Sequence, residues 1–142
     1  MSEMREKLVK LAKKWEKDYG VMPQIISAVS EYDAAMFVGM KEKQYSDEMQ
    51  NVSAVRKGYD FEYNGKRYQI KANRPSGKKG STITRAGKPR NTDFDELIWI
   101  EYNQDFTIKG AWQVSVSVYR KKMQHLKYLS PKDYQKNGKS LK

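Results

Sequence analysis

The chain contains no cysteine, so neither a disulfide framework nor a cysteine-based zinc site can be built from it. It has one histidine, His125, which removes a Ser-His pair unless that residue is itself the base. His125 sits among lysines and reads as a surface or DNA-contacting residue. No run of about 18 apolar residues occurs, so no helix is expected to cross a membrane. The first residues, "MSEMREKLVKLAKKWEKDYG", interleave acids with bases and lack the apolar core of a signal peptide, which predicts a cytoplasmic, intracellular protein. Proline is scarce, and "NGKS" at 137–140 lacks the earlier glycine that a phosphate-binding loop needs.

Aromatic residues, by contrast, are plentiful. Ten Tyr and three Trp in 142 residues predict one packed domain, 1–142, and argue against wholesale disorder. The 28 bases exceed the 17 acids by 11, which favours a polyanionic partner, most simply nucleic acid. The excess is patterned. From Asn64 to Thr92 there are nine Lys or Arg and no acid, and from Tyr119 to Lys142 eight against one Asp.

Met4, Leu8, Leu11, Ala12, Trp15 and Tyr19 recur at three- and four-residue spacing, which predicts an amphipathic helix over 3–19 closed by Gly20. Trp15, Trp99 and Trp112 lie in apolar patterns and are expected in the core. After Pro23, "QIISAVSEYDAAMFVGMKEK" reads as a second helical region, with Ser30 and Asp33 resembling a capping arrangement. Residues 44–57 read as a loop or short helix. Residues 75–92, with two Pro, three Gly and five bases, read as a long basic loop, mobile until something binds it. "DELIWIEYN" and "FTIKGAWQVSVSV" read as strands joined by a turn, and Met123, Leu126 and Leu129 allow a helix. The core is then about 24–129, followed by a frayed basic tail at 130–142.

"GYDFEYNGKRYQIKANR", from Gly58 to Arg74, carries the sharpest pattern. Asn-Gly tolerates the positive φ angles of a type I′ hairpin turn, so Asn64-Gly65 sets the register. Tyr63 then pairs with Lys66, and Asp60 falls opposite Gln69 with Lys71 two residues further along the same face. Phe61, Tyr63, Tyr68 and Ile70 occupy the other face. A solvated sheet surface with mixed charges is the simple account of the polar face; a site is the other.

An acid-bearing helix, then Asp60, then Gln69-Ile70-Lys71 after eight intervening residues, resembles the PD-(D/E)xK nuclease superfamily, also called restriction-endonuclease-like. The resemblance covers roughly Glu31 to Val118. It implies an α/β fold: a central mixed β-sheet with an antiparallel meander flanked by helices, the first two strands bearing the motif. Tyr59 stands in place of the namesake Pro, and Gln69 in place of the acid, as in Mrr-type enzymes.

That resemblance implies a metal-dependent DNA endonuclease using Mg²⁺, with Mn²⁺ as a substitute. Asp60 would be the principal ligand, joined by the Gln69 amide oxygen and the Ile70 backbone carbonyl. Lys71 would orient or help deprotonate the attacking water and offset charge in the transition state. Glu31 would be the further acid, with Asp33 as the substitute, while Glu62 is expected to be solvated. Arg74, Lys78, Lys79, Arg85, Lys88 and Arg90 would grip the DNA backbone. A homodimer follows by analogy with nucleases of this fold; a membrane partner does not. The alternatives are a DNA-binding module that keeps the fold without activity, and a basic adaptor for RNA or an anionic protein.

Overall fold

The computed structural model describes residues 2–51 and 58–142. It is a mixed α/β arrangement: a five-stranded sheet in the order β1-β2-β3-β4-β5 with helices on both faces. In chain order the elements are α1 (Glu3–Tyr19), α2 (Ile26–Phe37), α3 (Glu42–Gln50), β1 (Phe61–Tyr63), β2 (Lys66–Asn73), β3 (Glu96–Tyr102), β4 (Ile108–Ser115), α4 (Val116–Lys122), α5 (Pro131–Asn137) and β5 (Lys139–Ser140).

Helix α1 has the expected span. Ser2 caps it by accepting a hydrogen bond from the Arg5 amide at 3.1 Å, and Gly20, at φ 81°, closes it. Its burial differs from the expectation. Arg5, Val9 and Ala12 face inward, whereas Met4, Leu11, Trp15 and Tyr19 are exposed. The reason is polar: Arg5 is drawn inside by Asp33, and Glu16 holds Arg74 at 3.0 Å. These two ion pairs fasten the stripe beside the apolar one, so Trp15 is not a core residue.

Helix α2 starts at Ile26, four residues before Ser30, and the Ser30 hydroxyl donates back to the Ser27 carbonyl at 3.2 Å. Ser30 and Asp33 are therefore interior positions and not a cap. Of residues 44–57, α3 claims the stretch to Gln50; residues 52–57 lie outside the described residues.

The Asn64-Gly65 turn has φ angles of 50° and 77°, and Tyr63 pairs with Lys66 as its type requires. The paired register ends at Phe61 opposite Tyr68; Asp60, expected opposite Gln69, lies just beyond this ladder and donates its amide to the Tyr68 carbonyl at 2.7 Å. Strand β2 then pairs with β3 in parallel, Gln69 beside Leu97 and Lys71 beside Trp99. Strands β1, β2 and β3 are consequently not a continuous antiparallel meander; a crossover through residues 74–95 joins the last two, and antiparallel pairing resumes from β3 through β4 to β5.

Parallel pairing also changes the polar face of the hairpin. Past the hairpin, that face continues as Leu97, Trp99 and Val114, roofed by Tyr119, Met123 and Tyr134. A sheet with parallel strands is covered on both sides, and the apolar run Leu97–Ile100 is buried on both. The opposite face packs Phe61, Tyr68, Ile70, Ile98 and Ile100 against Val29, Ala34 and Ala35 of α2.

The C-terminal residues are structural, not frayed. Ser130 and Asp133 form a capping box, Pro131 opens α5, and β5 joins the sheet beside β4. Tyr134 is fully buried and stacks on Trp99 at 5.2 Å between centroids. Burying a ring of this size contributes about 2 kcal/mol or more. Among the described residues, no helix is long and apolar enough to cross a membrane.

Candidate active site

Strand β1 is only three residues long, so among the described residues no strand pairs with the outer edge of β2 beyond Tyr68. The Ile70 amide points to that edge, and the Asp60 carboxylate accepts its hydrogen bond through Oδ2 at 2.7 Å. Asp60 is held in turn by its own amide, which donates to the Tyr68 carbonyl at 2.7 Å. In a strand, the N–H and C=O of one residue face the same side, so the Ile70 carbonyl opens onto this edge too.

Helix α2 reaches over the gap. Glu31, Ser27 and Ser30 from α2 and Asp60, Gln69, Ile70 and Lys71 from the hairpin line one cleft of about 290 Å³. The two expected carboxylates, the amide, the carbonyl-bearing residue and the lysine thus share a single cavity. Glu62 is exposed and turned to another use: its amide donates to Glu48 Oε2 at 2.5 Å, fastening α3 to the hairpin.

Asp33 belongs elsewhere. Its carboxylate accepts from Arg5 Nε at 3.0 Å, from Arg5 Nη2 at 2.7 Å and from the Tyr102 hydroxyl at 2.6 Å, all buried. Burial and the Asp33 charge push the Tyr102 phenol well above its ordinary pKa, and the Asp33 hydrogen bond and charge raise that of Arg5 against the cost of its burial. Asp33 therefore anchors α1 and does not substitute for Glu31.

Tyr45 of α3 is a neighbour that the sequence did not announce. Burial first, then the charges of Glu31 and Asp60, raise its phenol far above the usual tyrosine range. One phenol thus senses the charges of both carboxylates, although it lines the neighbouring groove beside α1 and not the cleft itself.

Lys71 is positioned from below. Its stem lies along Gly87, where an added Cβ would stand 3.0 Å from Lys71 Cβ and 3.3 Å from Cδ. Gly87 is pinned twice: its amide donates to Asn73 Oδ1 at 2.8 Å, and its carbonyl accepts from the Tyr134 hydroxyl at 2.6 Å. Asn73 Oδ1 also accepts from Trp99 Nε1 at 2.9 Å. Gln69 turns its amide nitrogen towards the Ile70 carbonyl at 3.5 Å, the outer limit of a hydrogen bond.

No protein-family model matches the chain, and no curated protein matches it.

The donor set suits a hard divalent cation. Glu31 and Asp60 supply carboxylate oxygens, Gln69 an amide oxygen and Ile70 a carbonyl, and Mg²⁺ typically takes one or two carboxylates and keeps several waters. Among the described residues there is no group of three or more His, Asp or Glu of metal-binding arrangement, so any cation here would rely on neutral oxygens for the rest.

The basic segment divides. Arg74 is nearly buried: it pairs with Glu16, donates from Nε to the Gln104 carbonyl at 2.5 Å and lies over the Phe106 ring. It fastens α1 to the sheet and also lines the larger cleft beside the end of that helix. Lys88 donates to the Gln124 and Leu126 carbonyls, at 3.0 and 2.5 Å, just beyond α4. Arg85 stacks over Tyr128 at 3.7 Å, while Lys78, Lys79 and Arg90 are exposed. Ala86 bridges to Leu129, so the middle of this segment is docked and not a swinging loop. A larger cleft of about 790 Å³ lies between the end of α1 and residues 74–78, where Lys13, Lys17 and Lys78 supply cations.

Proposed function

We propose that this protein is a metal-dependent endonuclease that hydrolyses DNA phosphodiester bonds. The observation that carries this reading is the convergence of Glu31, Asp60, Gln69, Lys71 and the Ile70 carbonyl edge on one cleft. The restriction-endonuclease-like core belongs to the same proposal. Asp60, with Oδ2 engaged by the Ile70 amide, lines the cleft, and Glu31 lines it from α2. A bound Mg²⁺ would neutralise the scissile phosphate and lower the pKa of a coordinated water. Lys71 hydrogen-bonds the attacking water or a non-bridging phosphate oxygen as charge accumulates there. The water oxygen forms the new P–O bond and gives up a proton to solvent, the bond from phosphorus to the departing deoxyribose oxygen breaks, and that oxygen takes up a proton from solvent. Lys78, Lys79 and Arg90 supply backbone contacts, and Arg85 adds a cation beside Tyr128.

A DNA-binding module without catalysis is the second reading, favoured by Gln69: its amide nitrogen, not its oxygen, faces the Ile70 carbonyl. Plasmid incubated with the protein and Mg²⁺ or Mn²⁺, beside Asp60→Ala and Lys71→Ala, separates the two. Metal-dependent nicking lost in both variants supports the enzyme. Retarded DNA that stays intact in every lane supports the module, and cutting that survives both substitutions moves the site elsewhere.

A further inference from the structure

Tyr128 stands in water among cations. It is 52% exposed, and among the described residues every other large apolar side chain so exposed lies between Met4 and Val21, on α1 or just after it. The Arg85 guanidinium lies over its ring, 3.7 Å from the centroid, and the Lys127 ammonium is 5.4 Å from the same centroid. Lys121, Lys122 and His125 are exposed at the end of α4 and just beyond it. From Tyr119 to Lys132 the chain carries five Lys or Arg and no acid. Among the described residues, none of Arg85, Lys121, Lys122 and Lys127 is in an ion pair. This surface adjoins the cleft. Lys71 and Trp99 are partners in register, so both lie on the sheet face that Ala86, Leu129 and Tyr134 cover. Gly87 lies along the Lys71 stem, and Ala86, next to it, donates its amide to the Leu129 carbonyl at 2.9 Å. Arg85 and Tyr128 flank that bridge, so the Arg85 backbone is at most about 7 Å of chain from Gly87. At about 3.4 Å of rise per nucleotide, a strand leaving Lys71 reaches the Arg85–Tyr128 pair within a few nucleotides.

We infer that Arg85 and Tyr128 form a stacking platform for an unpaired base, and that the DNA this protein cuts is single-stranded beside the scissile phosphate. The inference rests on the nuclease reading for its partner and adds the form of DNA. In a duplex the base faces are stacked on one another, and the backbone offers phosphates that lysines alone would satisfy. An unpaired strand exposes its base faces, which stack on aromatic rings and on guanidinium planes while cations follow the backbone. Arg85 and Tyr128 supply both kinds of plane, already layered on one another, and a base adds a third layer. Lys121, Lys122 and Lys127 supply the cations around them. Every base has such a face, so this contact carries no sequence preference.

Fluorescence anisotropy of the full chain in EDTA, with a short labelled oligothymidylate and a blunt duplex of the same length, tests this without any cutting. The single strand should bind about fivefold or more tightly than the duplex. Tyr128→Ala, at an exposed position, should leave the thermal melt unchanged, lose about fivefold or more of single-strand affinity and leave duplex affinity within about twofold. Tyr128→Trp should keep the preference, whereas Arg85→Lys, which retains the charge without the plane, should weaken it. Lys121→Ala combined with Lys122→Ala should weaken both DNAs alike and make binding less sensitive to salt. Equal affinity for the two DNAs overturns the inference, and so does a folded Tyr128→Ala protein that loses both equally or neither. Cutting in Mg²⁺ of duplex but not of single-stranded DNA overturns it too, while leaving the nuclease reading intact. A Tyr128-dependent preference without cutting in Mg²⁺ or Mn²⁺ supports the platform and overturns the nuclease reading instead.

Discussion

The Asp60 carboxylate carries on where the β1 ladder stops: it accepts the Ile70 amide proton at 2.7 Å, just beyond the Phe61–Tyr68 pair. A side chain that completes a sheet edge is fixed in direction, and this one lines the cleft together with Glu31 and Lys71. Structure and proposed chemistry are therefore coupled at this one residue.

Asp60→Asn separates them. The amide oxygen can still accept from Ile70, so stability should change by no more than about 1 kcal/mol. Metal-dependent cleavage should fall by ~10²-fold or more, as expected when a charged ligand is lost. Asp60→Ala should lose cleavage and also ~1–3 kcal/mol, because it leaves the Ile70 amide without its acceptor. Initial rates on supercoiled plasmid, alongside urea unfolding of both variants, decide this.

Gln69→Glu tests the weakest ligand. It adds one negative charge beside Asp60, so the Mg²⁺ concentration for half-maximal cleavage should drop several-fold. An unchanged metal dependence in a folded variant would mean that Gln69 does not touch the cation.

Glu31 and Asp33 are two residues apart in sequence and should behave oppositely. Asp33→Ala leaves Arg5 buried without its partner and should cost about 3–5 kcal/mol in chemical denaturation. Glu31→Gln should leave the fold standing while abolishing cleavage. It should also lower the Tyr45 pKa, since the Glu31 charge is one cause of its elevation after burial; NMR titration of the ring reads this. The sign follows from linkage. Tyr45 holds its proton above pH 10 in the folded state, so its share of stability is present below pH 10 and declines as pH rises further.

Tyr134→Ala should cost about 3–5 kcal/mol through the lost stack on Trp99, whereas removal of a loose tail residue would cost nothing measurable. Tyr134→Phe should cost about 1 kcal/mol from the bond to Gly87 and reduce cleavage more than binding, because Gly87 supports Lys71. Thermal melts with parallel cleavage and gel-retardation measurements distinguish these effects.

Local chemistry was legible in the residues themselves. Ser2 and Gly20 bound α1, Asn64-Gly65 can hardly form anything but a type I′ turn, and the pairing of Tyr63 with Lys66 and of Phe61 with Tyr68 follows by counting. The capping box at Ser130–Asp133 was equally visible, and only its basic neighbours made it read as a tail. These signals are short-range, resting on backbone conformations that few residue types allow.

Tertiary structure decided what periodicity cannot: which of two adjacent stripes on α1 turns inward, and how β2 finds β3. A buried Arg5–Asp33 pair, 28 residues apart in sequence, outweighed the apolar spacing and left Trp15 in water. The parallel pairing of Lys71 with Trp99 turned the polar side of the hairpin into the edge of a second core. It also brought Gly87 and Tyr134 beneath the lysine. Such choices depend on contacts between segments far apart in the chain, and a linear pattern records which residues are apolar or charged but not which of them will meet.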